Sequence, residues 1–313
     1  MSFPRFDPTG ESVRVPTIRC GSPPGSSTVW SVDTDRAVTN EFSQLKLLSW
    51  EAVATALLAV SAVVLFGLGT TFPEVRALGY APMLAALVIA WSVNRSFARD
   101  LSVIAGCLAL ISAISVEADI SWTNIARMGV VLSAVVIGPW LVTRYGFKDQ
   151  TIQFPLRRGQ PWSRLEWAWL VFVVVVAWAV LPQYFMRTGV YLNWPPLTNW
   201  SEVIRLFFGV NAVGIWDELF FICTVFALLR KHFSFWTANV FTTIIFVSFL
   251  WELGYRSIGP LLTIPFALVQ AFIFTRTKSL PYTVTVHLLF DALVFLTIVH
   301  AHHPDALPIF IGV

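Results

Sequence analysis

The sequence predicts an all-α protein, a polytopic transmembrane helical bundle of about nine spans. Three observations predict it. The 313 residues are 56% hydrophobic and only 12% charged, and mean hydropathy is +0.70. A soluble domain of this length cannot cover so much apolar surface, because a large part of any globule faces water. The apolar residues also fall in blocks of about 15 to 24, the length that crosses roughly 30 Å of hydrocarbon at about 1.5 Å per residue. Finally, basic residues alternate between the connecting loops. With the N-terminus in the cytoplasm, Arg76, Arg127, Arg187, Arg205 and Arg256 fall outside, and the other 16 of the 21 Lys and Arg fall inside.

Taken in order, residues 1–45 are polar and rich in Pro, Gly, Ser and Thr. They hold no apolar core, so they are not a cleaved signal peptide; a disordered cytoplasmic tail is expected. Residues 46–200 form a five-span membrane region, with apolar blocks at 52–68, 78–93, 101–116, 128–142 and 167–181. Residues 201–303 form a four-span core, with blocks at 206–229, 235–250, 258–274 and 282–299, and residues 304–313 are a short tail on the outer side. Helices are required, because a lipid-embedded backbone must satisfy its own hydrogen bonds. A β-barrel would show short alternating segments instead. The loop at 144–166 is basic, and its Arg157, Arg158 and Arg164 suit anionic lipid heads. The outer loop holds Tyr191, Trp194 and Trp200 with Pro195 and Pro196, which reads as interfacial anchoring. No internal repeat or inverted pair of interrupted helices, the usual pointer to a transporter core, is visible.

Composition excludes several classes. A net charge of +3 gives no sign of a nucleic-acid partner, so the lipid bilayer is the expected partner. Cys20, Cys107 and Cys223 are far apart and form neither a disulfide framework nor a zinc finger. His300, His302 and His303 with Asp305 read as a solvated C-terminal run rather than a metal site.

Ionisable groups deep in a span are costly and mark candidate sites. Asp217 and Glu218 are adjacent, near the middle of the sixth block. Two carboxyls there repel and are poorly solvated, so one is expected to hold a proton near neutral pH. A carboxyl in that state can work as a general base or acid. His287 and Asp291 lie four residues apart in the ninth block, on one helical face. A carboxylate there can fix the imidazole tautomer. Glu252 follows Trp251 at the outer end of the seventh block, where an interfacial residue is the simpler reading.

The stretch from Trp216 to Asp291 resembles the CPBP family, the CAAX-protease and bacteriocin-processing membrane proteins, also called ABI. Its motifs are EExxxR on one helix, FxxxH on a later one and HxxxN or HxxxD on a third. Asp217 and Glu218 occupy the paired-acid position, followed by Leu219 and Phe220, with Ile222 where the arginine would stand. His287 and Asp291 fit the third motif, and Thr275 to Leu280 looks like its usual lead-in. In the middle motif Phe246 and Phe249 are followed four residues later by Leu250 and Leu253. The resemblance implies an intramembrane endopeptidase of metallo- or glutamic type in a bacterial or archaeal cell membrane, N-terminus inside and C-terminus outside. Its substrate would be a membrane-associated peptide or protein. Asp217, Glu218, His287 and Asp291 would be catalytic. A divalent metal such as zinc, if used, would take His287, Asp291, Glu218 and Glu252; a glutamic-type enzyme needs no cofactor. Two alternatives are a non-catalytic relative acting as an immunity or scaffold protein, and a proton-coupled transporter.

Overall fold

The computed structural model describes residues 49–156, 160–305 and 308–310. The expected polar tail at 1–45 lies outside them, as do Arg157 and Arg158. Among the described residues there are nine long helices and no strand. They are α1 (Trp50–Ala62, prolonged to Thr71), α2 (Tyr80–Val93), α3 (Arg95–Ser112), α4 (Trp122–Leu141), α5 (Arg164–Thr188), α6 (Trp200–Asp217, prolonged to Arg230), α7 (Phe235–Leu253), α8 (Pro260–Thr277) and α9 (Leu280–His302).

Seven of these helices begin on a side chain that accepts from a backbone N–H of the first turn. These are Ser49, Asn94, Ser121, Ser163, Asn199, Ser234 and Ser279. At Ser163 and Asn199 the glutamate three residues on returns the bond, closing a capping box. Helix α8 starts on Pro260, whose missing N–H needs no partner there. Capping matters more than usual here, because an orphan N–H at the edge of hydrocarbon finds little water.

Eight helices are long and apolar enough to cross a membrane. The exception among the nine is α3, which opens on Arg95, Arg99 and Asp100. It still runs between the same two faces as the others, as its contacts at each end show. At one end Asp100 Oδ2 is 2.7 Å from both Lys231 Nζ and His232 Nε2, and Lys231 also pairs with Asp149. Partial burial works against the Lys231 ammonium, but bonds to Asp100 and Asp149 outweigh it and hold the group above its usual range. At the other end Arg76 Nη2 donates to the carbonyls of Ser112 and Ile114, and to Glu252 Oε1 at 3.1 Å. Arg256 pairs with Glu117 on that same face. The two ends of α3 therefore lie beside opposite ends of α7.

Large apolar side chains such as Leu84, Val88, Val130 and Val171 are more than 60% exposed, as expected of surfaces that face lipid. Buried aromatics join α6 to α7. The Phe221 and Phe246 rings stack at 4.3 Å, and Trp216 lies on Phe220 at 5.1 Å. Without a hydrophobic force between helices in lipid, such close packing carries the association.

Three expectations change. Trp194 is not a lipid anchor: it is 4% exposed and packs between Phe185 and Tyr255, whereas Trp200, 80% exposed, fits that role. The C-terminal histidines are not solvated. His300 is buried on α9, His302 meets the Tyr191 ring edge, and His303 Nε2 donates to the Leu197 carbonyl at 2.6 Å. Glu252 is not an exposed interfacial residue: it is 1% exposed, held by Arg76 and by the Val116 N–H at 3.4 Å.

Removing one partner of a buried ion pair strands the other charge. Arg76→Ala is expected to lower unfolding stability by about 3 kcal/mol. Adding Glu252→Gln to it should restore a good part of that loss in a denaturant titration in detergent micelles.

Candidate functional site

Helix α6 changes pitch at the point where its acids stand. Asp217 ends the regular α-helix and Glu218 opens a π-helical run to Phe226. The wider turn shows in the Thr224 hydroxyl, which donates to the carbonyl of Leu219, five residues back, at 3.0 Å. Single π-turns inside α-helices often sit at functional sites. In this one the two carboxyls face different surroundings.

Glu218 is fully buried and points to α8 and α9. Its Oε1 accepts from Gln270 Nε2 at 2.7 Å and lies 2.8 Å from His287 Nδ1. That network assigns the proton of the imidazole to Nδ1, since Oε1 is then an acceptor from both. The other edge of the ring, Nε2, lies 3.7 Å from Asp217 Oδ2 and 3.9 Å from Asp291 Oδ1. Phe266 meets the ring edge-on at 4.9 Å and fixes its plane. Asp217 Oδ1, Glu218 Oε2 and Asp291 Oδ2 are buried with no partner among the described residues. Three acids and one imidazole this close must share protons to stay inside a membrane.

The approach of α6 to α9 depends on Gly214. A Cβ added there would strike Asp291 Oδ2 and come within 3.2 Å of His287 Cδ2. Asp217, His287 and Asp291 line a cavity of about 450 Å³. It runs between α4 and α6, past Leu132, Ser133 and Val136, towards Asp119 and Arg205 near the starts of those two helices. Trp216 closes its floor and donates from Nε1 to the Leu132 carbonyl at 2.8 Å. Leu250 and Leu253, at the end of the middle motif, face this cavity as apolar groups.

The structure thus brings together Asp217, Glu218, His287 and Asp291, and holds Glu252 apart on Arg76. Two residues of the site escaped sequence reasoning, Gln270 and Tyr255. Gln270 had a signal, being a long uncharged polar side chain inside an apolar block. Tyr255 had none, because it lies in the loop beyond α7.

Of the donors the resemblance implies for a metal, His287, Asp291 and Glu218 lie together, with His287 Nε2 3.9 Å from Asp291 Oδ1, while Glu252 is engaged by Arg76. Among the described residues no group of three or more such side chains is arranged to hold a metal ion.

Residues 199–293, which run from the cap of α6 into α9, match the family model described as type II CAAX prenyl endopeptidase Rce1-like. The match agrees with the resemblance read from the motifs and covers the four-helix core that carries the acids and His287. No curated protein and no solved structure matches the chain.

Gly214→Ala tests the close approach. It is expected to cost about 1–3 kcal/mol of stability by overpacking. Gly209→Ala, where a Cβ meets nothing within 4 Å, should be neutral or slightly stabilising in the same melting assay.

Proposed function

We propose that this protein is an intramembrane endopeptidase that hydrolyses a membrane-associated peptide or protein. The observation that carries the reading is the convergence of Asp217, His287 and Asp291 on one cavity, with Glu218 bonded to the far side of the same imidazole. The match of residues 199–293 to an endopeptidase family model supports it.

In this reading Asp217, which lines the cavity, is the general base. It takes a proton from a water molecule as the water oxygen bonds to the peptide carbonyl carbon. His287 Nε2 and Asp291 accept the remaining hydrogen of that water and keep it in line. Glu218 and Gln270 act from behind, holding the imidazole by Nδ1 so that Nε2 faces the cavity. When the tetrahedral adduct collapses, the C–N bond breaks and Asp217 returns its proton to the departing amine. The products are a carboxylic acid and an amine. No step is assigned to a metal.

A second reading, a non-catalytic relative that keeps the bundle, draws on one observation. Leu250 and Leu253 face the cavity where the middle motif would carry a histidine. Cleavage separates the two.

In a reconstituted bilayer with a membrane-anchored peptide, Asp217→Asn is expected to cut kcat by about 100-fold or more. Activity should survive a chelator. Equal cleavage by wild type and Asp217→Asn would overturn the mechanism, and no cleavage by either would favour the non-catalytic reading.

A further inference from the structure

Attack on a carbonyl puts negative charge on its oxygen, and that oxygen needs hydrogen-bond donors. The cluster described above is rich in oxygen acceptors. Asp217 and Asp291 offer carboxyls, and the His287 proton assigned to Nδ1 points away from the cavity to Glu218. Trp216 also lines the cavity, but its indole N–H is taken by Leu132. Arg205 is twelve residues up α6 from Asp217, about 18 Å away along the axis.

Tyr255 is different. It is 6% exposed, lines the same cavity, and its hydroxyl has no hydrogen-bond partner among the described residues. The chain is built to place it there. Helix α7 ends at Leu253, and Gly254 then takes φ +140°, a backbone state that other residues rarely adopt. A Cβ at Gly254 would also come within 3.1 Å of the Trp194 indole nitrogen. Asn193 Nδ2 donates to the Gly254 carbonyl at 3.0 Å, and the Tyr255 N–H returns to the Leu250 carbonyl at 3.0 Å. The ring is held edge-to-face by Trp194 at 5.7 Å and by Phe185 at 6.0 Å. Burial first, then the neighbouring carboxyls of Asp291 and Asp217, push the phenol up from its usual range, so it stays protonated and able to donate.

We propose that Tyr255 is a further catalytic residue, whose phenolic O–H donates a hydrogen bond to the carbonyl oxygen of the substrate as it becomes an oxyanion. The proposal rests on the endopeptidase reading above. The phenol keeps its proton throughout. The water proton goes to Asp217 and on to the leaving amine, so Tyr255 neither gains nor loses an atom.

The test compares wild type, Tyr255→Phe and Asp217→Asn, each full-length in lipid vesicles, with the membrane-anchored peptide as substrate. Tyr255→Phe keeps the ring and its packing and removes only the donor. Its kcat is expected to fall about 100-fold, with KM within about twofold of wild type and an unchanged melting temperature. If Tyr255→Phe turns over at the wild-type rate while Asp217→Asn is inactive, the proposal is wrong and the endopeptidase reading stands. A rise in KM at constant kcat, or a fall in melting temperature that matches the lost activity, also overturns it. Equal cleavage by wild type and Asp217→Asn removes the mechanism beneath it, and the role of Tyr255 falls with it.

Discussion

A carboxyl enclosed in a membrane protein has no water to solvate it, so the protein itself must supply its hydrogen bonds. Glu218 meets that demand with a single oxygen, Oε1, on which the amide of Gln270 and the imidazole of His287 both converge. Those residues belong to α6, α8 and α9, so three helices are tied at one atom. Other details follow from it. Gly214 has to be small, because the α9 side chains lie against it. The pitch of α6 changes at Glu218, where the adjacent Asp217 faces the cavity instead. The aromatic stack of Trp216, Phe220, Phe221 and Phe246 then seals the region on the α7 side.

The first five helices lie outside the family match, yet they help to build the site. Helix α4 forms one wall of the cavity, and the loop after α5 brings Trp194 and Asn193 against Gly254. Arg76, just before α2, reaches across to α7 and neutralises Glu252. The core therefore does not stand apart from the region that precedes it; the cavity lies at their junction.

Much of this was legible in the sequence. The spans were, because lipid demands long apolar runs whatever lies around them. Even α3 was found from its apolar block, although it opens on three charged residues. The acids and His287 were legible because a charge in such a run is too costly to be incidental. What could not be read were partnerships across the chain. Glu252 looked interfacial because its partner is 176 residues away. Trp194 looked like an anchor because nothing local tells an aromatic facing lipid from one facing Tyr255. The C-terminal histidines looked solvated because their partners, Tyr191 and Leu197, lie in a loop more than a hundred residues earlier.

The His287 ring has a further consequence. One of its edges meets Glu218, which is wholly enclosed, while the other meets the cavity. The ring is thus a partition with a dry side and a side open to the cavity, and its two nitrogens are unequal before any substrate arrives. The dry side takes the Nδ1 proton, and the open side presents Nε2 to the cavity in a known direction. Turning the imidazole over would break the bond to Glu218 and carry the proton to the cavity side. The resting chemistry of this centre is thus fixed from behind, by residues that no substrate needs to touch.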